Sequence, residues 1–252
     1  MRLTVIGCSG SFPGPDGPAS CYLVEAAHEG RTFRLLLDLG NGSLGPLQRH
    51  APLDGIDALV ISHLHPDHCL DLCSLYVARR YLPEGPLGRI PVHGPAGTAD
   101  RMARAYDLDP NPGMHADFAF VDLEPGPFTL GPFMLRTVRV KHPVEAYAVR
   151  VEHGGRSLVY SGDTGPCDAL VELARGADLL LCEASFHDGR DTAPDLHLNG
   201  REAAEHATRA GARRLVLTHL PPWNDPARSL AEAVPAFAGP VEVARAGAVI
   251  DI

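Results

Sequence analysis

The hydrophobic and polar positions of the first part of the chain predict consecutive strands, followed by alternating strands and helices. Short apolar runs bounded by Gly-, Pro- and Ser-rich segments read as strands, and the polar turn between residues 26 and 33 indicates a hairpin. The predicted elements are strands at 3–8, 21–26, 33–40, 56–63 and 89–95, and helices from about 70 to about 82 and at 96–107.

The second part of the chain shows the same order. Strands dominate residues 117–163, and the predicted elements after them are helices near 166–175, 199–210 and 226–237, and strands at 177–185, 214–220 and 241–252. Two such parts packed sheet on sheet, with their helices outside, form an α/β fold of four layers, an αββα sandwich. Because no segment has the length of a linker, we expect a single domain over residues 1–252.

Composition narrows the functional classes. With 252 residues, of which 45% are hydrophobic, the chain is long enough to bury a sizeable core. Its net charge of −9 makes it a poor general binder of long nucleic acids, because contacts to phosphates need Lys and Arg. A small anionic substrate held by metal ions stays compatible with this charge, since a bound cation dominates its local field.

Cysteine usage and the start of the chain bear on the compartment. The six cysteines include no Cys-x-x-Cys pair and do not form the pattern of a small disulfide scaffold, so we expect buried free thiols in a reducing cytosol. We find neither a signal peptide in the first residues nor an apolar run near the roughly 18 residues of a membrane span. The expected location is therefore cytoplasmic, without a membrane partner.

Metal-binding side chains are concentrated in the segment HLHPDH at 63–68. This segment follows a predicted buried strand, and active sites of α/β folds lie at such strand ends. Further candidates occupy the ends of other apolar strands, and the full set is His63, His65, Asp67, His68, His142, Asp163 and His219. Imidazole with carboxylate favours zinc, while manganese or iron would also fit. The other histidines away from this pattern, His28, His50, His93, His115, His153, His187 and His206, we interpret as capping or surface residues.

The segment 63–68 matches the His-x-His-x-Asp-His signature, and with the later ligands the chain resembles the metallo-β-lactamase superfamily over essentially its whole length. The resemblance implies that His63, His65 and His142 hold one metal ion. It implies that Asp67, His68 and His219 hold a second ion, and that Asp163 bridges the two. Within the superfamily, the segments SGDTG, LLLCEASF and HLNGREAAEHATRAGARRLVLTH resemble the ribonuclease Z branch.

That branch implies two further catalytic residues. Glu183 and His197 are expected beside the metals, with His197 protonating the leaving oxygen and Glu183 holding it in place. Asp67 is expected to orient the attacking water in addition to binding metal.

The chain also departs from ribonuclease Z. Members of that branch carry a long Gly/Pro-rich arm for transfer RNA between the third metal-binding His and the bridging Asp, but only 21 positions separate His142 from Asp163 here. The motif after the last His reads HLPPW rather than a Ser-Arg pair. Despite these departures, the chain is similar to the atypical cyclic-nucleotide phosphodiesterases of actinobacteria. The similarity lies in segments such as TVIGCSGSFPGPDGPAS, SHLHPDHCLDL and LTHLPPW.

The sequence therefore predicts a dinuclear phosphodiesterase of a small substrate such as 3′,5′-cyclic AMP. The alternatives are a ribonuclease Z-like RNA 3′-processing endonuclease, a metallo-hydrolase of another bond, such as a lactone or thioester, and a non-catalytic metal-bound module. Three features stay open at this stage. Ser9 or Ser11 would bind phosphate or belong to a plain turn, Trp223 would stack on a base or pack on the C-terminal helix, and the helix DLCSLYVARRYL would form a homodimer interface or be core.

Overall fold

Two seven-stranded sheets form the centre of the structure, a computed structural model that describes residues 1–252. The strands are β1 (Arg2–Gly7), β2 (Cys21–His28), β3 (Arg31–Leu37), β4 (Ala58–Val60), β5 (Ile90–Gly94), β6 (Phe118–Asp122), β7 (Gly126–Leu130), β8 (Phe133–Arg139), β9 (Tyr147–His153), β10 (Arg156–Tyr160), β11 (Leu179–Glu183), β12 (Leu215–Thr218), β13 (Val241–Val243) and β14 (Val249–Asp251). The helices are α1 (Leu44–Leu47), α2 (Pro66–Cys69), α3 (Leu72–Arg80), α4 (Thr98–Ala105), α5 (Asp168–Leu173), α6 (Gly200–Ala210) and α7 (Pro226–Ala233).

Both sheets are antiparallel at first along the chain and then parallel. The first sheet has the order β14-β1-β2-β3-β4-β5-β6, and the second has the order β13-β12-β11-β10-β9-β8-β7. Strands β1 to β3 and β7 to β10 pair antiparallel, whereas β3 to β6 and β10 to β13 pair parallel. The predicted change from consecutive strands to alternating strands and helices is thus the change from antiparallel to parallel pairing.

Leucine-rich strands place alternate side chains in different layers. Leu35 and Leu37 of β3 lie in the core between the two sheets, while Leu36 faces the core beneath α2 to α4. In β11, Leu179 and Leu181 reach the same central core, while Leu180 packs beneath α5 to α7. Because side chains of a strand alternate between faces, a run of leucines indicates a sheet covered on both sides. The predicted αββα sandwich is confirmed.

Three predicted elements have different limits in the structure. The strand predicted at 241–252 is two strands in different sheets, β13 and β14, because the chain turns between them and Gly247 takes a φ of +84°. The strand predicted at 56–63 is confined to Ala58–Val60, and the side chain of Asp57 just before it accepts a hydrogen bond from the Arg34 amide. The helix predicted from about 70 to 82 is α3, preceded by the separate short helix α2.

Two other expectations can be compared directly. All six cysteines are free thiols, and Cys69 and Cys73 pack in or against the core beneath the helices of the first sheet. No helix is long and apolar enough to cross a membrane.

Helix α3 buries Leu72, Leu75 and Tyr76 and exposes Val77, so one of its faces is core. The homodimer and the single domain over 1–252 stay predictions.

Candidate metal centre

Strand register brings the candidate ligands to one edge of the sandwich. Glu183, the last residue of β11, pairs with Thr218, the last residue of β12, so that the chain leaves both strands at the same level. In the first sheet, Leu37 pairs with Val60, and the segment at 63–68 follows that pair by a few residues. Parallel strands end at a common edge, and the loops after them carry the ligands.

An outer set of three histidines, His63, His65 and His142, forms the more open half of the centre. Nδ1 of His65 lies 3.0 Å from Nε2 of His63 and 3.2 Å from Nε2 of His142. His63 is buried, whereas His65 and His142 are half-buried. Three imidazole nitrogens therefore converge on one point that solvent can reach.

An inner set, Asp67, His68 and His219, is buried throughout. Nε2 of His219 lies 3.0 Å from Nε2 of His68 and 3.0 Å from Oδ2 of Asp67. His68 follows Asp67 within α2, where Pro66 occupies the first turn with the fixed φ that suits a helix start. The two nitrogens and one carboxylate oxygen converge on a second point.

Asp163 stands between the two sets. Its Oδ2 lies 3.6 Å from Nε2 of His63, and its Oδ1 lies 3.3 Å from Nε2 of His68 and 3.5 Å from Nε2 of His219. The carboxylate is buried, and Oδ1 has no hydrogen-bond partner. A buried carboxylate oxygen without a partner is costly, and a metal cation is the kind of group that would compensate it.

The outward nitrogen of four of the histidines is already engaged, which leaves the inward nitrogen for metal. His63 Nδ1 lies 3.1 Å from the Ser62 hydroxyl, and His68 Nδ1 lies 2.7 Å from Oδ2 of Asp38. His142 Nδ1 lies 3.0 Å from the Leu196 carbonyl oxygen, and His219 Nδ1 lies 2.7 Å from the Ser185 hydroxyl, which itself donates to the His219 carbonyl. Metal-binding histidines characteristically donate their other N–H in this way. The donor set therefore fits divalent metal ions.

Asp38 is a site residue that our sequence analysis missed. Its carboxylate is fully buried and accepts hydrogen bonds from the Ser62 amide, the Ser62 hydroxyl and the Tyr160 hydroxyl at 2.6, 2.8 and 2.7 Å, besides its contact with His68. The signal was present, because Asp38 directly follows the apolar strand β3 at the same sheet edge as the ligands. Its partners are Ser62, which follows β4, and Tyr160, the last residue of β10, and only the fold shows that they meet Asp38.

The electric potential of the inner set favours a cation. Burial lowers the pKa of His68, but the carboxylates of Asp163 and Asp38 outweigh it and hold this pKa well above its ordinary value. Burial of Asp67 opposes its ionisation, yet hydrogen bonds from His219 and His68 hold its pKa well below the ordinary range. In the outer set, burial lowers the pKa of His63, His65 and His142, which keeps them neutral, as metal binding requires.

His197 and Glu183 form a pair beside the two sets. Nδ1 of His197 lies 2.9 Å from Oε1 of Glu183 and 4.0 Å from Oδ2 of Asp163. Glu183 is fully buried and also accepts hydrogen bonds from the amides of Thr164 and Ser185. Burial lowers the pKa of His197, but the adjacent Glu183 carboxylate outweighs it and raises this pKa to about 9. The imidazole is therefore protonated at neutral pH.

A capping box fixes the start of the helix that follows His197. The Asn199 side chain accepts from the Glu202 amide, and the Glu202 side chain accepts from the Asn199 amide. The helix start predicted at Asn199 and Gly200 is confirmed, and it holds the segment with His197 and the Leu196 carbonyl against the ligands.

The loop after β1 lies against the inner set. The Ser11 amide points at Nε2 of His219 over 3.4 Å, whereas the Ser9 hydroxyl donates to the Gly17 carbonyl within the loop. A Cβ on Gly10 would lie 2.2 Å from the His219 carbonyl oxygen, so only glycine allows this approach. Ser11, Asp38 and His219 all have positive φ, a strained conformation that clusters at functional sites.

The remaining histidines lie outside both sets. His206 accepts the Cys167 amide and contacts the Glu202 carbonyl, and His93 stacks on Phe128 with ring centroids 4.8 Å apart. His153 contacts the Pro132 carbonyl, and His187 is buried near Glu232. These contacts are structural. His187 and His206 are buried and His93 is half-buried, whereas we expected the lone histidines to be capping or surface residues.

Comparison with known proteins identifies the family. The model of the β-lactamase superfamily domain matches residues 33–220, which include every member of both ligand sets. The chain belongs to the metallo-β-lactamase superfamily. The chain is a metallo-hydrolase of this superfamily by its relatives, and its His and Asp groups are capable of binding metal.

Three relatives illustrate the similarity. An uncharacterised protein of Mycobacterium leprae is 47% identical over 258 residues, covering 100% of this chain and 89% of that protein. The probable metallo-hydrolase YhfI of Bacillus subtilis is 32% identical with 98% of each chain covered, and its crystal structure superimposes with a TM-score of 0.87 over 99% of each chain. Ribonuclease Z of Mycobacterium bovis is 33% identical and covers 96% of this chain and 95% of its own length.

Proposed function

We propose that this metallo-hydrolase is a phosphodiesterase with two metal ions, and that it hydrolyses a small phosphodiester, 3′,5′-cyclic AMP or a related cyclic nucleotide being the preferred class. The observation that carries the proposal is Asp163, whose two oxygens face two separate ligand sets while His197 stands 4.0 Å away. A shared carboxylate between two sets is the arrangement of a two-metal site, which suits displacement at phosphorus.

In this proposal the outer set would hold one ion, the inner set would hold the other, and Asp163 would contribute an oxygen to each set. Zinc matches the mixture of imidazole and carboxylate, with manganese or iron as alternatives. When bound, the ions would activate water and neutralise the charge that develops on the phosphoryl oxygens.

The chain's own groups supply the other steps. Protonated His197 donates a proton to the departing ribose oxygen, and Glu183 fixes its orientation through Nδ1. Asp67 orients the attacking water in addition to binding metal. The Ser11 amide donates to Nε2 of His219, and a metal ion on that nitrogen would free this N–H to donate to a phosphoryl oxygen, whereas the Ser9 hydroxyl is bonded to the Gly17 carbonyl.

The short interval between His142 and Asp163 supports a small substrate. It contains the hairpin of β9 and β10, whose strands lie within the second sheet, and it leaves no residues for a projecting arm. The net charge of −9 also disfavours a long polyanion. We therefore expect a small-molecule substrate, without long nucleic acid or membrane as a partner.

A ribonuclease Z-like endonuclease activity is the second candidate, because the Mycobacterium bovis ribonuclease Z is similar over nearly the full chain. Hydrolysis of a lactone or thioester is less favoured, since the pair of Glu183 and His197 matches, by resemblance, the phosphodiester-cleaving branch of the superfamily.

The test is a parallel assay of protein with measured zinc or manganese content on 3′,5′-cyclic AMP, 2′,3′-cyclic AMP and a precursor transfer RNA. We expect turnover of a cyclic nucleotide by the wild type and none by Asp163→Ala, with Asp122→Ala, an exposed carboxylate on β6, as the matched control. Cleavage of transfer RNA with inert cyclic nucleotides would instead support the second candidate.

A further inference from the structure

Two exposed aromatic side chains lie on loops that border the candidate metal centre. Trp223 is 64% exposed and Phe12 is 39% exposed, and their ring centroids are 4.9 Å apart with planes inclined by 44°. Leaving large apolar rings in water forfeits the free energy that burial would contribute. Trp223 does not pack into the C-terminal helix, which was one of its two expected roles.

Both rings are joined to the centre through short, fixed segments. Phe12 follows Ser11, whose amide points at Nε2 of His219. Trp223 follows Pro221 and Pro222 in the loop that begins at His219, and prolines restrict its backbone. The loops are tied together by the hydrogen bond from the Gly10 amide to the Leu220 carbonyl, at 3.0 Å.

The loop of Trp223 is also connected to Ser185, the residue that orients the candidate metal ligand His219. The buried Asn224 side chain donates to the Ser185 carbonyl at 2.7 Å, and the Ser185 hydroxyl contacts Nδ1 of His219. The aromatic pair is thus positioned before any substrate arrives, which lowers the entropy cost of binding.

We infer that Phe12 and Trp223 form a stacking surface for the nucleobase of the substrate and thereby select nucleotides over base-free phosphodiesters. This inference rests on the proposed function, because it takes the phosphodiester to lie at the metal centre. Planar bases stack on aromatic side chains with little dependence on which base is present, so the surface would favour nucleotides as a class. The apolar pair contrasts with the imidazole and carboxylate groups that would hold the metal ions at the phosphate end.

The chain offers a direct reporter, because Trp223 is its only tryptophan. We would titrate zinc-loaded wild-type protein with AMP and with ribose 5-phosphate, two ligands that differ only in the base, and follow tryptophan emission and binding heat. AMP should quench the emission to saturation. Ribose 5-phosphate should leave it unchanged and bind about 10-fold more weakly, as expected for the loss of one stacked base.

Variants separate stacking from folding. Trp223→Ala and Phe12→Ala should each weaken AMP binding and raise KM for a cyclic nucleotide about 10-fold, with a much smaller change in kcat, while Trp223→Phe should recover most of the affinity. Tyr81→Ala is the matched control, since Tyr81 is also 64% exposed but lies just after α3. This variant should change neither the affinity for AMP nor the KM for a cyclic nucleotide.

The outcomes distinguish this inference from the proposed function. Quenching by AMP and base-dependent affinity without any hydrolysis of cyclic nucleotides would support the stacking surface while the phosphodiesterase proposal fails. Hydrolysis with an unchanged KM in Trp223→Ala, or equal affinity for AMP and ribose 5-phosphate, would overturn the stacking surface alone. Emission that changes on dilution without ligand would also overturn it, because a second copy of the chain would then cover the rings.

Discussion

The inner and outer ligand sets share Asp163 but differ in their surroundings. Every member of the inner set is buried, and its His68 is held by Asp38 within a network that includes Ser62 and Tyr160. The outer set has two half-buried histidines, and His142 is held by a single carbonyl oxygen in the segment that precedes His197. From this difference we infer that the inner set would retain a cation more firmly, while the outer set would be more accessible to a substrate.

The largest expected difference concerns the stability of the metal-free protein. His68→Ala removes the buried imidazole that pairs with the carboxylates of Asp38 and Asp67, at 2.7 and 3.4 Å, so the free energy of unfolding should fall by about 3–5 kcal/mol. His65→Ala removes a half-buried side chain and should cost about 1 kcal/mol or less. Urea denaturation of both variants measures the comparison, and equal losses would contradict it.

The next effect concerns catalysis on the open side. His197→Ala should slow turnover by about 10²-fold or more, because it removes the proton donor, while the metal content stays at the wild-type value. Turnover and elemental analysis on one preparation measure both quantities, with His115→Ala, an exposed histidine, as the control. Loss of metal from His197→Ala would show that the residue acts as a ligand instead.

A smaller effect should separate the affinities of the two sets. Asp38→Asn removes the charge that supports His68. The ion of the inner set should therefore bind about 10- to 100-fold more weakly, while the ion of the outer set is unaffected. Competitive titration with a chelating indicator measures this, and Asp57→Asn, which changes a carboxylate that accepts the Arg34 amide, is the control. An equal loss at both sites would mean that the sets are not independent.

The smallest effect is a shift of the pH profile. The Glu183 carboxylate raises the pKa of His197 to about 9, and a proton donor is active only below its pKa. Activity should therefore fall at alkaline pH as His197 loses its proton. In Glu183→Gln the alkaline limb should move to lower pH, because the opposing burial remains without the carboxylate. An unchanged limb in pH profiles of kcat would assign the proton transfer to another group.

The ligands could be predicted from sequence because each follows an apolar strand, and parallel strands end at a common edge. Asp38 follows the same rule, but it is a lone Asp after β3, and its contact with His68 depends on the pairing of β3 with β4. The pairing of Phe12 with Trp223 depends on contact between loops far apart in the chain. The division of residues 241–252 between two sheets could not be predicted from the sequence, because the apolar pattern of this segment continues through the turn.

The position of Asp163 between the sets is the central claim, and electron paramagnetic resonance of fully manganese-loaded protein tests it most directly. If one carboxylate bridges two ions, their spins interact, and the spectrum should show an exchange-coupled pair that is lost in Asp163→Ala. A wild-type spectrum of isolated manganese ions at full loading would contradict the shared site.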